Sequence, residues 1–256
     1  MNRQTALNYA TRYFDNGTLQ SDLARLVSYR SESQNPAQAD VLTAYLVEAI
    51  EPRLTALGFD CELHDAPADS GAAAPFLLGA RIEDPALPTV LTYGHGDVVL
   101  GQDTQWDEGL TPFELIERGE RLYGRGSADN KVQHLINIAA LEAVLAARGA
   151  LGFNIKIVME MDEEIGSPGL KEMMALHRDT LAADVLIASD GPRLSAERPT
   201  MFMGSRGCID FDLEVDLREG AHHSGNWGGL LADPAIILGH ALACITDARG
   251  QIQVPE

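Results

Sequence analysis

Thr89-Val-Leu-Thr-Tyr-Gly-His-Gly-Asp97 is the stretch on which the reading of this chain turns. A β-branched and apolar run breaks off at glycines and leaves His95 and Asp97 two residues apart. Residues at i and i+2 of an extended chain point to the same side. The carboxylate can therefore take the proton of one ring nitrogen and leave the other nitrogen free. That is how a protein fixes the tautomer and aim of a metal-binding histidine. A lone His-x-Asp pair is more often a plain surface hydrogen bond. Its weight here comes from acidic residues that recur at the ends of later strand-like runs.

Upstream of this stretch the period is helical to about Leu57. Leu19, Leu23, Leu26 and Val27 form one apolar stripe, and Val41, Leu42, Tyr45, Leu46, Ala49 and Ile50 form another. Pro36 suits the start of the second helix and Gly58 its end. The period then shortens. Phe59 to His64 and Phe76 to Ile82 read as strands, separated by the small-residue turn Pro67 to Pro75. Downstream, two short strands at Leu115-Ile116 and Arg121-Leu-Tyr123 precede Gly124-Arg-Gly-Ser-Ala-Asp-Asn-Lys131. A long helix from about Val132 to Ala147 follows, closed by Gly149. Phe153 to Glu160 is a strand running into Asp162-Glu163-Glu164, and a helix spans about Leu170 to His177. Asp184 to Ser189 is a strand ending in Asp190-Gly-Pro192. Strands alternating with helices predict an α/β fold, a mostly parallel central sheet flanked by helices. From Pro199 the pattern changes: Cys208 to Leu217 alternates apolar and acidic residues, as a half-exposed strand does. His222 to Gly229 reads as a loop, and Pro234 opens a last helix. We read 1–198 as one domain and 199–256 as the start of an α+β second one.

Composition narrows the function classes. The 256 residues carry 38 acidic and 19 basic side chains, a net charge of −19. No basic run exists to neutralise phosphates, which argues against a nucleic acid or an anionic membrane as partner. Most of these carboxylates are read as solvated surface, those at strand ends excepted. Cys61, Cys208 and Cys244 are scattered, with no Cys-x-x-Cys pair, which suits a reducing compartment and excludes a thiolate zinc ribbon. The first residues lack a signal-peptide apolar core, and no apolar stretch approaches the roughly 20 residues of a membrane span. The expected address is the cytoplasm.

Sites in open α/β sheets form outside the carboxyl ends of the strands. Three strands here deliver polar groups to that edge: His95 with Asp97, Glu163 with Glu164, and Asp190. Asp129 sits in the loop before a helix. One imidazole among several carboxylates is costly without a cation, because like charges oppose one another's ionisation. A divalent metal resolves the conflict, and the donor set suits zinc, with manganese or cobalt as alternatives. Two metals about 3.5–4 Å apart could share one carboxylate. If the strand persists, adjacent Glu163 and Glu164 point in different directions, one to ligate and one to take a proton. Gly124-x-Gly126 lacks the third glycine of a dinucleotide fingerprint, no Gly-x-Ser-x-Gly elbow occurs, and Trp106 and Trp227 are read as packing.

His95-Gly-Asp97, Gly124-Arg-Gly-Ser-Ala-Asp129, Glu163-Glu164 and Ser189-Asp-Gly191, in this order, resemble the M20 family of metallopeptidases, across roughly residues 20 to 250. The resemblance implies a metal-dependent hydrolase that cleaves an amide bond of a small peptide or N-acyl amino acid by a metal-activated water. By it, His95 and Asp190 bind one of two divalent metals, Asp129 bridges, and Glu164 binds the other. Glu163 is the general base and later the acid, and Asp97 orients His95. The segment from Pro199 resembles the family's lid, which forms a homodimer. His223 there matches the histidine that reaches the partner subunit's active site and steadies the oxyanion, although His222 beside it leaves that match open by one residue.

Two departures stand out. Asn130-Lys-Val132 replaces the family's usual Asp-Lys-Gly or Met-Lys-Gly. The family also continues beyond its lid to a last metal-binding histidine and a substrate-carboxylate arginine, whereas this sequence stops at Val254-Pro-Glu256. The expectation is a fragment of a longer enzyme, with the second metal short of a ligand. The rival readings are a non-catalytic metal-binding or dimerising module of the same fold and another dinuclear hydrolase, such as an aminopeptidase.

Overall fold

The computed structural model describes residues 3–68, 70–71, 73–191, 193–195, 197–204 and 207–254. Asp69 and Ala72 of the expected Pro67–Pro75 turn, Pro192 after Asp190, and the closing Pro255-Glu256 lie outside them. The chain divides into two compact units, Met1–Thr200 and Met201–Glu256.

The first unit opens with helices α1 (Arg3–Asp15) and α2 (Thr18–Ser28). Next come α3 (Ala39–Ala44), a π-helical segment (Tyr45–Ile50) and α4 (Glu51–Ala56), which run on from one another. Pro52 has no N–H to give the carbonyl four residues earlier, and the Arg25 guanidinium donates to that Glu48 carbonyl instead, at 2.6 Å. Strands β1 (Asp60–His64), β2 (Phe76–Arg81) and β3 (Thr89–His95) follow, then the small pair β4 (Ile116–Arg118) and β5 (Arg121–Tyr123). Helix α5 (Lys131–Arg148) ends at Gly149, whose φ of 75° is the left-handed cap that favours glycine. Strand β6 (Asn154–Glu160), helices α6 (Leu170–Leu176) and α7 (Arg178–Leu181), and strand β7 (Val185–Ala188) complete the unit.

The main sheet has the order β1-β2-β6-β3-β7. Strands β6, β3 and β7 are mutually parallel, as the βα alternation predicts, while β1 and β2 add an antiparallel edge. Two apolar layers cover this sheet. Leu23, Leu26, Tyr45, Leu46, Leu54, Leu135 and Ile138 pack with Leu77, Ile155, Ile157 and Met159 on one side. Met173 and Leu181 pack with Phe76, Leu78, Leu91 and Val158 on the other. Double coverage explains why β2 and β6 are near-continuous apolar runs. It also fixes the register that brings His95 level with Glu160 at the sheet's carboxyl edge.

The second unit carries α8 (Ser224–Trp227) and α9 (Pro234–Ile245). Asp233 caps α9, its Oδ1 accepting the Ala235 N–H at 2.8 Å. The strand expected over Cys208 to Leu217 is absent: none of these described residues joins a ladder, and Ile209 and Phe211 are 86% and 63% exposed. Alternation decides which face would be apolar, but a strand also needs a partner for its N–H and C=O groups. The described residues of this unit supply none to that segment.

Candidate metal centre

Strand β3 breaks at Gly94-His95-Gly96, and both glycines are needed for close packing. A Cβ on Gly96 would lie 2.3 Å from Tyr45 Cε1 and 2.8 Å from Met161 Sδ. A Cβ on Gly94 would lie 3.1 Å from His134 Cβ on α5. Backbone bonds pin the turn that follows. The Gly96 N–H donates to the Glu160 carbonyl at 3.0 Å, the Val98 N–H donates to the Ser31 carbonyl at 2.8 Å, and Ser31 Oγ donates to the Gly96 carbonyl at 2.7 Å.

His95 and Asp97 are both wholly buried. His95 Nδ1 lies 3.2 Å from the Asp97 carbonyl and 3.3 Å from Asp97 Oδ1. The opposite nitrogen, Nε2, is 3.1 Å from Asp129 Oδ1, 3.5 Å from Asp190 Oδ2 and 3.8 Å from Glu163 Oε2. The structure thus brings His95, Asp129 and Asp190 together. Their ligand atoms lie within 4.8 Å of one another, and they form the one such group of three among the described residues.

The pair Glu163-Glu164 departs from expectation in its backbone. Strand β6 stops at Glu160, and the pair sits in a 3₁₀ turn, Glu163–Ile165. The buried Asp97 carboxylate is the reason. Its Oδ1 accepts the Glu163 N–H at 3.2 Å and its Oδ2 accepts the Glu164 N–H at 3.0 Å, diverting two donors from any ladder. Asp97 thus faces three groups at once: the imidazole and two backbone amides. His223 belongs to the second unit, where its Nδ1 accepts the Gly225 N–H at 3.1 Å at the start of α8. The His222 ring meets Trp227 edge-on there, at 5.9 Å.

The charges behave as crowding predicts. Burial opposes protonation of His95, but its hydrogen bonds to Asp129, Asp190 and Asp97 outweigh that and push the imidazole up to about 12. The bond to His95 in turn holds Asp129 below the usual carboxylate range. Burial raises Glu163, with His95 opposing and the Asp190, Glu164 and Asp97 charges adding to it. Glu164 is raised by burial and by Asp129, again against His95. A site that favours a positive charge so strongly, with one imidazole nitrogen facing carboxylate oxygens, fits a divalent cation of the zinc, manganese or cobalt type.

Several buried polar residues around this centre escaped the sequence reading. Glu160 accepts hydrogen bonds at Oε1 from Tyr93 Oη at 2.6 Å and Ser167 Oγ at 2.9 Å. Lys131 Nζ donates to the Leu26 and Tyr29 carbonyls at 3.0 and 2.9 Å, under the Tyr45 ring. Asn130 and His134 are buried beside them. One signal was available: Lys131 and His134 fall on the same helical stripe as Leu135 and Ile138, and charged residues on a core stripe need partners.

Comparison with known proteins identifies the family. The model of Peptidase family M20/M25/M40 matches residues 91–231, a span that includes His95, Asp97, Asp129, Glu163, Glu164, Asp190 and His223. Beta-Ala-His dipeptidase of Mus musculus is 39% identical over 185 residues, covering 71% of this chain and 37% of its own length. Cysteinylglycine-S-conjugate dipeptidase of Corynebacterium striatum is 34% identical over 229 residues, covering 89% of this chain and 48% of its own. The crystal structure of human carnosine dipeptidase 1 aligns with a TM-score of 0.76 at 28% identity, over 98% of this chain and 54% of that one. This chain spans half or less of the length of both dipeptidase sequences. With the family match extending over more than half of its residues, the chain belongs to peptidase family M20/M25/M40.

Proposed function

We propose that this chain carries the amide-hydrolysing centre of a metal-dependent dipeptidase. The observation that carries the reading is the convergence of His95, Asp129 and Asp190 on one point at the sheet edge, with Glu163 beside it. In this reading His95 and Asp190 would hold one divalent ion, Glu164 would hold a second, and Asp129 would serve both. Zinc is the favoured ion, and manganese or cobalt would suit the same donors. A divalent ion supplies Lewis acidity toward a carbonyl and toward water.

The chain's own groups carry the protons. Glu163, raised by burial, takes one proton from the attacking water as the water oxygen bonds to the carbonyl carbon. The same carboxyl then gives that proton to the departing amine as the C–N bond breaks. Asp97 aims His95 through Nδ1 and holds the Glu163 and Glu164 amides. His223 is assigned to the oxyanion across a homodimer formed through the lid that begins near Pro199. The substrate class is a small peptide, in keeping with the dipeptidases to which the chain is similar; N-acyl amino acids present the same bond. The scattered cysteines favour a cytoplasmic setting, and among the described residues no helix is long and apolar enough to cross a membrane.

The test is amine release from a panel of dipeptides and N-acyl amino acids with added zinc or manganese, for the parent and Glu163→Gln. The reading predicts hydrolysis by the parent that falls at least about 10²-fold in the variant while bound metal stays the same. One observation favours a second reading, a metal-binding module without turnover: Glu164 is not part of the group that closes within 4.8 Å. Tight metal with no hydrolysis of any panel member would select it.

A further inference from the structure

The residue after Asp129 makes more contacts to the centre than its place in the sequence suggests. Asn130 is wholly buried. Its Nδ2 donates to the Ser189 carbonyl at 2.7 Å. Its Oδ1 lies 3.3 Å from the His95 N–H and 3.2 Å from His134 Nδ1. Only one orientation of the amide satisfies all three, because a carbonyl oxygen demands the NH₂ end and a backbone N–H demands the oxygen. That orientation requires a proton on His134 Nδ1, which leaves Nε2 to accept from Tyr45 Oη at 2.8 Å. Tyr45 is itself wholly buried, so its hydroxyl is shielded from bulk solvent. The amide is therefore braced from the core, through His134 and Tyr45, and its other two bonds reach outward to strand ends.

Those two strand ends carry ligands. The His95 N–H belongs to the last residue of β3, and the Ser189 carbonyl immediately precedes Asp190. Asn130 is joined directly to Asp129. One side chain thus links the three backbone segments that bear His95, Asp129 and Asp190, and a strand end shifted by a fraction of an ångström moves its ligand equally. We propose that Asn130 is a positioning residue that sets the spacing of this ligand triad, acting through hydrogen bonds to His95 N–H and Ser189 O and braced by His134. The inference rests on the metal-site reading above.

Co(II) serves as the probe, since its visible absorption reports coordination as well as affinity. The protein is titrated with Co(II) in competition with a chelator, for the parent, Asn130→Ala and Asn130→Asp. Removing a residue that orients metal ligands weakens affinity about 10- to 100-fold. That loss, with an altered absorption band, is expected for Asn130→Ala. Asn130→Asp preserves the acceptor for His95 and His134 but sets an oxygen against the Ser189 carbonyl, so it should release only the Asp190 segment. Adding Asp190→Ala to Asn130→Asp should then cost clearly less affinity than Asp190→Ala does in the parent. Met173→Ala, in the apolar layer on the opposite side of the sheet, supplies the control for destabilisation alone: a lower Tm with parental Co(II) affinity. The near-isosteric aspartate variant keeps the test open if the alanine variant does not fold. Parental affinity and spectrum in the Asn130 variants would overturn this inference alone. Failure of the parent to bind Co(II) would overturn the metal-site reading and this inference together.

Discussion

Asp97→Asn is the perturbation on which the local account is most exposed. The carboxylate is wholly buried and faces three partners: the Glu163 N–H at 3.2 Å, the Glu164 N–H at 3.0 Å and His95 Nδ1 at 3.3 Å. Ionised, both oxygens accept. An asparagine of the same shape has one oxygen and one NH₂, so whichever way it turns, a donor faces a buried donor. An orphaned buried donor costs about 1–3 kcal/mol, and hydrogen bonds to a charged group are worth about 1.5–3 kcal/mol. Together these give a loss of about 2.5–6 kcal/mol. At about 2–4 °C per kcal/mol for a chain of this size, Tm should fall by about 5–24 °C. Differential scanning calorimetry without added metal reads that term alone. A chelator competition then reads the second consequence, a zinc affinity about 10- to 100-fold weaker because His95 has lost its orienting partner. A Tm within about 2 °C of the parent, on the same scale, would refute the claim that Asp97 holds the Glu163-Glu164 turn. A lowered Tm with parental zinc affinity would leave Asp97 as a turn anchor and refute its role in aiming His95.

Three further outcomes are expected. Burial, with the His95 and Lys131 charges adding to it, holds His134 at about 3 against its ordinary 6.5. Between those values the unfolded chain binds a proton that the folded chain does not, so stability falls on acidification through this window. At about 1.4 kcal/mol per pH unit, the loss from pH 6.5 to 4.5 reaches up to about 3 kcal/mol, and urea midpoints should show a smaller drop for His134→Gln; equal drops would exclude His134 as a source. Gly96→Ala sets a Cβ against Tyr45, which its bond to His134 holds in place; a cost of about 2–3 kcal/mol should appear in thermal melts, and a neutral result would mean that the packing of Gly96 on Tyr45 is slack. Arg53 grips both Glu142 oxygens, at 2.7 and 2.9 Å, and Asp22 at 2.8 Å; Arg53→Lys forfeits the bidentate fork and should cost about 1–2 kcal/mol, whereas parental stability would make the cluster surface decoration.

The periodicity of the apolar residues located the strands of the main sheet and the helices on it except the one-turn α7, whose Leu181 packs there, because burial on a 3.6- or 2-residue repeat is a local signal. It failed at Cys208–Leu217, where the repeat is present and the ladder partner is not, since pairing is non-local. The polar groups that meet at the sheet edge were legible for a related reason: His95, Glu163 and Asp190 each stand at or just beyond the end of an apolar run. Asn130 was not legible. It reads as a helix-start residue and a variation on a motif, and its three partners come from β3, α5 and the end of β7, which only the fold brings together. Glu160 was hidden likewise. Along the chain it is the last residue of a strand, and only the pairing of β6 with β3 places it level with His95.

The central claim is that a divalent cation belongs among His95, Asp129 and Asp190. The direct measurement is elemental analysis of the protein after dialysis against zinc and then buffer, for the parent, His95→Ala and Asp190→Ala. The account predicts zinc retained by the parent and lost from both folded variants. No retained zinc in the parent, or the same amount in all three proteins, would contradict it.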